Sequence, residues 1–280
     1  MHNRSTNVDD FEAMADIAGI CFTHDEKTKT LIIDEIGLVD LSSFVCQIKK
    51  YAGEKGIAKI SVRVREASAI YFFQHGFMVE ASIMAYYGLQ DAFYVVYYLD
   101  KSYREDIQSK PQDEILDKAF SRTKEESNQT TKKHAQIVVS PTKSKRVIDA
   151  NKQVVFTGRE HTNNRHDIKT KFFAQINNNI VATADANYSK EAHVVEFSNF
   201  IASLEVDISS IIKCLLSEMQ SYYASLGAQT AFTIVSANSL AINTICVENG
   251  FEYGGRLTNE SIINGSLASL NTWFKRISLE

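Results

Sequence analysis

Gly250-Phe251, Tyr253-Gly254-Gly255-Arg256-Leu257, Asn259, Ile263, Gly265 and Asn271-Thr272-Trp273-Phe274-Lys275 decide the fold. A helix over residues 239–249 stops at Gly250, Phe251 opens a strand, and the residues from there to the C-terminus read as a hairpin. A glycine after a helix takes the left-handed conformation that a side chain resists, and the apolar residue behind it enters the sheet. Upstream, Ile208, Ile211, Ile212, Leu215, Leu216, Met219, Tyr222 and Tyr223 share one helical face. That helix stops at Gly227, and strand-like residues 230–235 come after it.

The first half repeats this order. Leu41, Phe44, Val45, Ile48 and Ala52 line a helix ending at Gly56, and strand-like residues 59–64 come next. A short helix over 66–75 stops at Gly76, before an alternating stretch at 77–83 and another strand at 92–99. The stretches 56–76 and 227–250 are comparable units, which predicts an internal repeat.

At 280 residues, with 44% hydrophobic and 23% charged side chains, the chain is long enough for two compact domains. A formal charge of −4 leaves no basic stripe for nucleic acid or an anionic membrane surface. The longest clean apolar run, residues 92–99, falls short of the roughly 20 residues that span a bilayer. Asp9, Asp10, Glu12 and Asp16 stand where a signal peptide would be basic, so a cytoplasmic setting is expected.

Cys21, Cys46, Cys214 and Cys246 are widely spaced and read as reduced, small hydrophobic residues. His161 and His166 flank a turn-rich stretch, and no metal site is expected. Pro111 and Pro141 lie in a polar connection whose Ile115, Leu116, Ala119 and Phe120 suggest a short helix. The predicted organisation is an N-terminal domain over 1–105, a linker over 106–134 and a C-terminal domain over 135–280.

Both halves resemble GNAT-family acetyltransferases, and from Leu41 onward the chain resembles the β-lysine N-acetyltransferases. In the first half the likeness is carried by Gly76-Phe77, Glu80-Ala81, Ile83, Tyr86-Tyr87-Gly88, Asp91-Ala92-Phe93 and Arg104. In the second it is carried by Glu196, Phe200, Leu215-Leu216, Glu218-Met219, Thr230-Ala231-Phe232-Thr233-Ile234, Ser239, Asn243 and the C-terminal residues already quoted. The resemblance implies an α/β (mixed α+β) fold of two tandem GNAT-like domains, each a mixed, mostly antiparallel sheet flanked by helices. It also implies an N-acetyltransferase that uses acetyl-CoA as co-substrate and a small-molecule amine as acceptor, the CoA lying where the fourth and fifth strands splay apart.

The same resemblance assigns residues. An alkyl amine is protonated near neutral pH and must lose a proton before attack, and Glu196 on the fourth strand is the candidate base. Period-2 alternation puts Glu196 and Ser198 on one face and Phe197 and Asn199 on the other. Ser198, Asn199, Ser236, Asn259, Asn271 and Trp273 are the candidate acceptor contacts. Cys246 stands where many relatives carry a tyrosine that reprotonates the leaving thiolate, so it reads as a weak acid or as packing.

Relatives bind the pyrophosphate on a glycine-rich loop at a helix N-terminus, where amides and dipole meet the anion. Leu204, Val206, Ile208, Ser209, Ser210, Ile211 and Lys213 fall on that segment, with Asn243 facing the CoA from the last helix. Yet residues 159–226 contain no glycine, Asp207 is placed to cap the amides a phosphate would use, and Glu205 adds like charge. Two functions are therefore open on the sequence. One is acetyl transfer to a small diamino acid such as β-lysine; the other is a catalytically degenerate homologue acting as a ligand- or partner-binding module.

Overall fold

The structure is a computed structural model, and it describes residues 8–125, 138–141, 148, 152–156, 158–159 and 167–277. The first half runs α1 (Val8–Ala18), β1 (Cys21–Asp25), β2 (Thr30–Glu35), α2 (Leu41–Glu54), β3 (Lys59–Arg65), α3 (Glu66–Gln74), β4 (Met78–Tyr87) and β5 (Gln90–Tyr98). After a short turn of 3-10 helix and α4 (Ser109–Glu125) come β6 (Val138–Pro141), β7 (Gln153–Val155), β8 (Ile168–Ile176), β9 (Asn179–Ser189) and β10 (Val194–Ser203). The chain ends with α5 (Ile208–Ser225), β11 (Thr230–Ser236), α6 (Leu240–Glu248), β12 (Glu252–Ile263) and β13 (Ser266–Arg276).

All the described strands belong to one sheet, in the order β1-β2-β3-β5-β4-β12-β13-β11-β10-β9-β8-β6, with β7 attached to β10. The order β1-β2-β3-β5-β4 matches β9-β10-β11-β13-β12. In both runs the second and third strands are parallel and the hairpin at the end is antiparallel. The repeat inferred from glycine-stopped helices is therefore also a repeat of topology. Gly76 and Gly250, at φ 81° and 74°, end their helices in the left-handed region, and Phe77 and Phe251 behind them are buried.

The two runs meet antiparallel at β4 and β12, where Gly255 pairs with Ala81. A β-carbon on Gly254 would stand 2.2 Å from the Ser82 carbonyl oxygen, and one on Gly255 would stand 2.3 Å from that of Glu80. The Gly254-Gly255 pair, read from sequence only as part of a hairpin, lets the two half-sheets touch.

Each half has its own helix-side core. Phe44, Ile48, Val62 and Phe72 anchor the first, and Phe197, Leu215, Leu216, Met219 and Trp273 anchor the second. A third cluster, with Tyr86, Tyr94, Val194, Phe232, Ile234 and Leu257, lies between the halves. The helix expected around Ile115 is longer than a short connector and packs on α6. It buries Ala119 and sets Phe120 5.8 Å from the Trp273 ring.

Candidate active site

Strands β10 and β11 pair over three positions only, from Val194 opposite Thr230 to Glu196 opposite Phe232. Beyond Glu196 they part. The register of β10 slips between Ser198 and Ile201, where Asn199 sits at φ 51°. Residues 195, 197, 200 and 202 consequently all reach the helix-side core. The bulge corrects the alternation expected across Asn199, which is exposed and donates to Asp185 at 2.9 Å.

Glu196 stands at the vertex of the split. Its neighbour Val194 on the same face packs in the cluster between the halves, so Glu196 looks toward the first half. The carboxylate is close enough to Tyr86, Tyr94 and Asp167 to disfavour charge on each of them. Ser198 is buried on that face.

The split is filled by the chain itself. Strand β7 pairs antiparallel with Ile201, Ala202 and Ser203. On either side of it, the Phe156 N–H donates to the Phe200 carbonyl and the Leu204 N–H to that of Lys152, both at 2.9 Å. Gly158 then bridges to Val235 on β11, and Lys152 pairs with Glu205 at 2.7 Å. Residues 152–156, with Gly158 and Arg159, thus form a strap from one lip of the split to the other.

The strap ends in buried charge. Arg159 lies 3.2 Å from Asp34 and 3.2 Å from Glu260, beneath the Tyr94 ring at 4.9 Å. Burial alone would lower its pKa, but Asp34 and Glu260 hold it above the ordinary value. Lys59, fully buried, reaches Glu80 at 2.7 Å and Glu260 at 2.9 Å and donates to the Thr258 carbonyl at 2.7 Å. Arg63 pairs with Asp34 at 3.6 Å. Three cations and three carboxylates thereby join β2, β3 and β4 of the first half to the strap and β12. The only sequence trace of this network is charge placed inside strand-like runs, Lys59 and Arg63 above all.

The segment expected to hold phosphate has other partners. The Asp207 side chain caps α5, accepting from the Ser210 N–H at 3.4 Å and the Ser210 hydroxyl at 2.7 Å, while its carbonyl takes the Ile211 N–H. Ile211 is a core residue, and Val206 and Ile208 pack on the same core. Lys213 is ion-paired with Glu248. Leu204 is exposed, and Ser209 is half-buried in the first turn. Residues 208–213 are the first turns of α5, the helix on whose face Ile208, Ile211 and Ile212 were expected.

Asn243 also departs from its expected place. Its amide donates to the carbonyls of Ser236 and Ser239 at 2.9 and 2.7 Å, and its oxygen accepts from Asn271 and Trp273 at 2.9 Å each. Two donors and two lone pairs are its whole capacity, so Asn243 ties α6 to β11 and β13 and has nothing left for a ligand. Asn271 accepts in turn from Arg256 at 3.1 Å. The Asn259 amide donates to the Tyr103 and Glu105 carbonyls, and the Ser236 hydroxyl accepts from Asn238. Cys246 is wholly buried, and burial pushes its thiol far up, so packing is the role its surroundings support.

His161 and His166 lie outside the described residues, and among those described no three metal-ligating side chains gather. No described helix is long and apolar enough to cross a membrane.

No protein-family model matches the chain. It is 20% identical over 84% of its length, and over 89% of the other protein, to a β-lysine N(6)-acetyltransferase of Methanococcus maripaludis. It is 24% identical over 35% of its length, and 36% of the other, to the N-acetyltransferase YodP of Bacillus subtilis. A probable acetyltransferase from Staphylococcus epidermidis superposes on 42% of this chain and 73% of its own at 18% identity, with a TM-score of 0.36. The chain is thus similar in sequence to N-acetyltransferases, a β-lysine N(6)-acetyltransferase among them.

Proposed function

We propose that this protein is a tandem GNAT-type N-acetyltransferase that moves acetyl from acetyl-CoA to an amine of a small diamino acid of the β-lysine kind, with Glu196 accepting the acceptor's proton. The observation that carries this reading is the position of Glu196. It sits where β10 and β11 stop pairing, on the face toward the first half, and the likeness to a β-lysine N(6)-acetyltransferase runs across both halves.

As folded, the split does not fit acetyl-CoA. The strap takes up backbone groups along β10 that an inserted pantetheine would need, and Asp207 caps the helix whose amides would meet phosphate. Acetyl-CoA can enter only if this strap leaves. The same observation favours a second reading, a homologue that keeps the fold and binds a small molecule or a partner without turnover.

Incubation with acetyl-CoA and β-lysine, read by mass spectrometry, together with a thermal-shift titration of CoA, separates the two. A ligand held by the folded state alone stabilises it by about 2.7 kcal/mol at 100 times its dissociation constant. Acetylated product and a CoA-dependent shift are expected. No product and no shift at millimolar CoA, in the native chain and in one with the strap loosened, would leave only the binding module.

A further inference from the structure

A cleft of about 710 Å³ opens between the two halves, away from the strap. The first half supplies the α1–β1 turn, Glu35 and the ends of β3 and β4; the second supplies Asp167, the β9–β10 turn and Gln229. The volume lies in the range of small-molecule sites. Among the described residues its wall holds the carboxylates of Asp16, Glu35, Asp167 and Glu191 and the guanidiniums of Arg63 and Arg65. Carboxylates there suit a cationic group, and guanidiniums suit an anionic one.

Two polar atoms mark the interior. The Asp167 Oδ1 is buried with no hydrogen-bond partner, while its other oxygen accepts from Asn187 at 3.1 Å. The Arg63 Nε is likewise buried and unpartnered. Buried polar groups without partners are uncommon and mark places where a ligand can supply the missing bond. Burial, together with Glu35 and Glu196 nearby, raises the Asp167 carboxyl against the pull of Arg63, which is the setting a cationic group would relieve. At the rim, Arg65 is exposed and its guanidinium sits over the Tyr87 ring, 3.8 Å from the ring centre. Its planar fork is thereby held ready for a carboxylate.

We propose that this cleft is the acceptor site and takes a small amino acid bearing a second amine, its carboxylate held by Arg65 with Arg63 and an ammonium held by Asp167. The choice of ligand rests on the acetyltransferase reading; the cleft and its charges do not. The first half, which the sequence left without a role, then provides the carboxylate clamp.

The test is equilibrium binding to the full chain with no acetyl-CoA present, by calorimetry and thermal shift, of β-lysine, of cadaverine, which lacks the carboxylate, and of ε-aminocaproate, which lacks the second amine. β-Lysine is expected to bind at least about tenfold more tightly than either, a gap of about 1.4 kcal/mol. Arg65→Gln should bring β-lysine down to the level of cadaverine, and Asp167→Asn to that of ε-aminocaproate, with circular dichroism unchanged. Equal binding of all three probes, no binding at millimolar β-lysine, or two folded variants that bind it unchanged would overturn the assignment. Acetylated β-lysine formed with the same KM in both variants would overturn the cleft alone. Binding intact but no acetyl transfer would overturn the reaction alone.

Discussion

Gly158 passes so close to Ile234 that a β-carbon on it would stand 2.6 Å from the Ile234 carbonyl oxygen. No side chain fits there, so the strap can close the gap between β10 and β11 only because this residue has none. Contact with backbone leaves no flexible atom to give way, and any substituent has to lift the strap or push β11 aside.

Gly158→Ala is therefore expected to loosen the strap and expose the β10 edge. Overpacking of this kind costs about 1–3 kcal/mol, so the melting point falls modestly while the fold persists. If strap and CoA compete for the split, CoA binds the variant at least about tenfold more tightly than the native chain, which calorimetry would read directly. Equal or weaker CoA binding by a folded Gly158→Ala protein would show that the strap does not guard a CoA site.

The base is tested by Glu196→Gln, which keeps the shape and removes the proton acceptor. General-base catalysis contributes about 10²- to 10⁴-fold, so kcat for acetyl transfer should fall within that range while the KM for acetyl-CoA stays near its native value. A kcat within twofold of native, or a loss matched by unfolding in circular dichroism, would remove Glu196 from the chemistry.

Much of the architecture is legible in sequence because its signals are local. Glycine stops at Gly56, Gly76, Gly227 and Gly250 follow from left-handed backbone, and helical faces such as that of α5 follow from apolar spacing. The split beyond Glu196 is expected too, though only through family resemblance. The features hidden from the sequence depend on residues far apart in the chain. Asn243 looks like a ligand contact until Ser236, Asn271 and Trp273 are seen to use every position it has. Nothing local singles out Arg159, whose partners are Asp34, 125 positions away, and Glu260. Ile211 matches a phosphate-loop position in the family pattern, yet its apolar side chain shares a helical face with Leu215 and is spent on the core.

Asn243→Leu should act on stability and leave ligand affinity alone. The substitution leaves the Trp273 Nε1–H and the Asn271 amide buried without their acceptor, and each abandoned group costs about 1–3 kcal/mol. Urea unfolding is expected to show a loss of about 2–5 kcal/mol with an unchanged slope. A variant as stable as the native chain but unable to bind CoA would return Asn243 to the ligand site.

Lys59→Met tests the charged seam, and pH decides its interpretation. Glu260 is fully buried, and although burial alone would raise its carboxyl, Lys59 first and then Arg159 hold it below the ordinary value of 4.5. A carboxyl depressed in the folded state contributes stability that is present above its ordinary pKa and disappears as pH falls through the folded one. Native protein should therefore keep full stability at neutral pH and lose it in acid. Removing Lys59 takes away the larger of the two depressing charges and leaves Glu80 and Glu260 short of a partner, a loss of about 3–5 kcal/mol for a broken buried pair. The variant is expected to be less stable at neutral pH and to begin acid unfolding at a higher pH than the native chain, because its Glu260 takes up a proton sooner. Both shifts can be followed by circular dichroism across a pH series. An unmoved acid midpoint would mean that Arg159 alone sets the Glu260 charge, and that Lys59 serves the seam mainly through Glu80 and the Thr258 carbonyl.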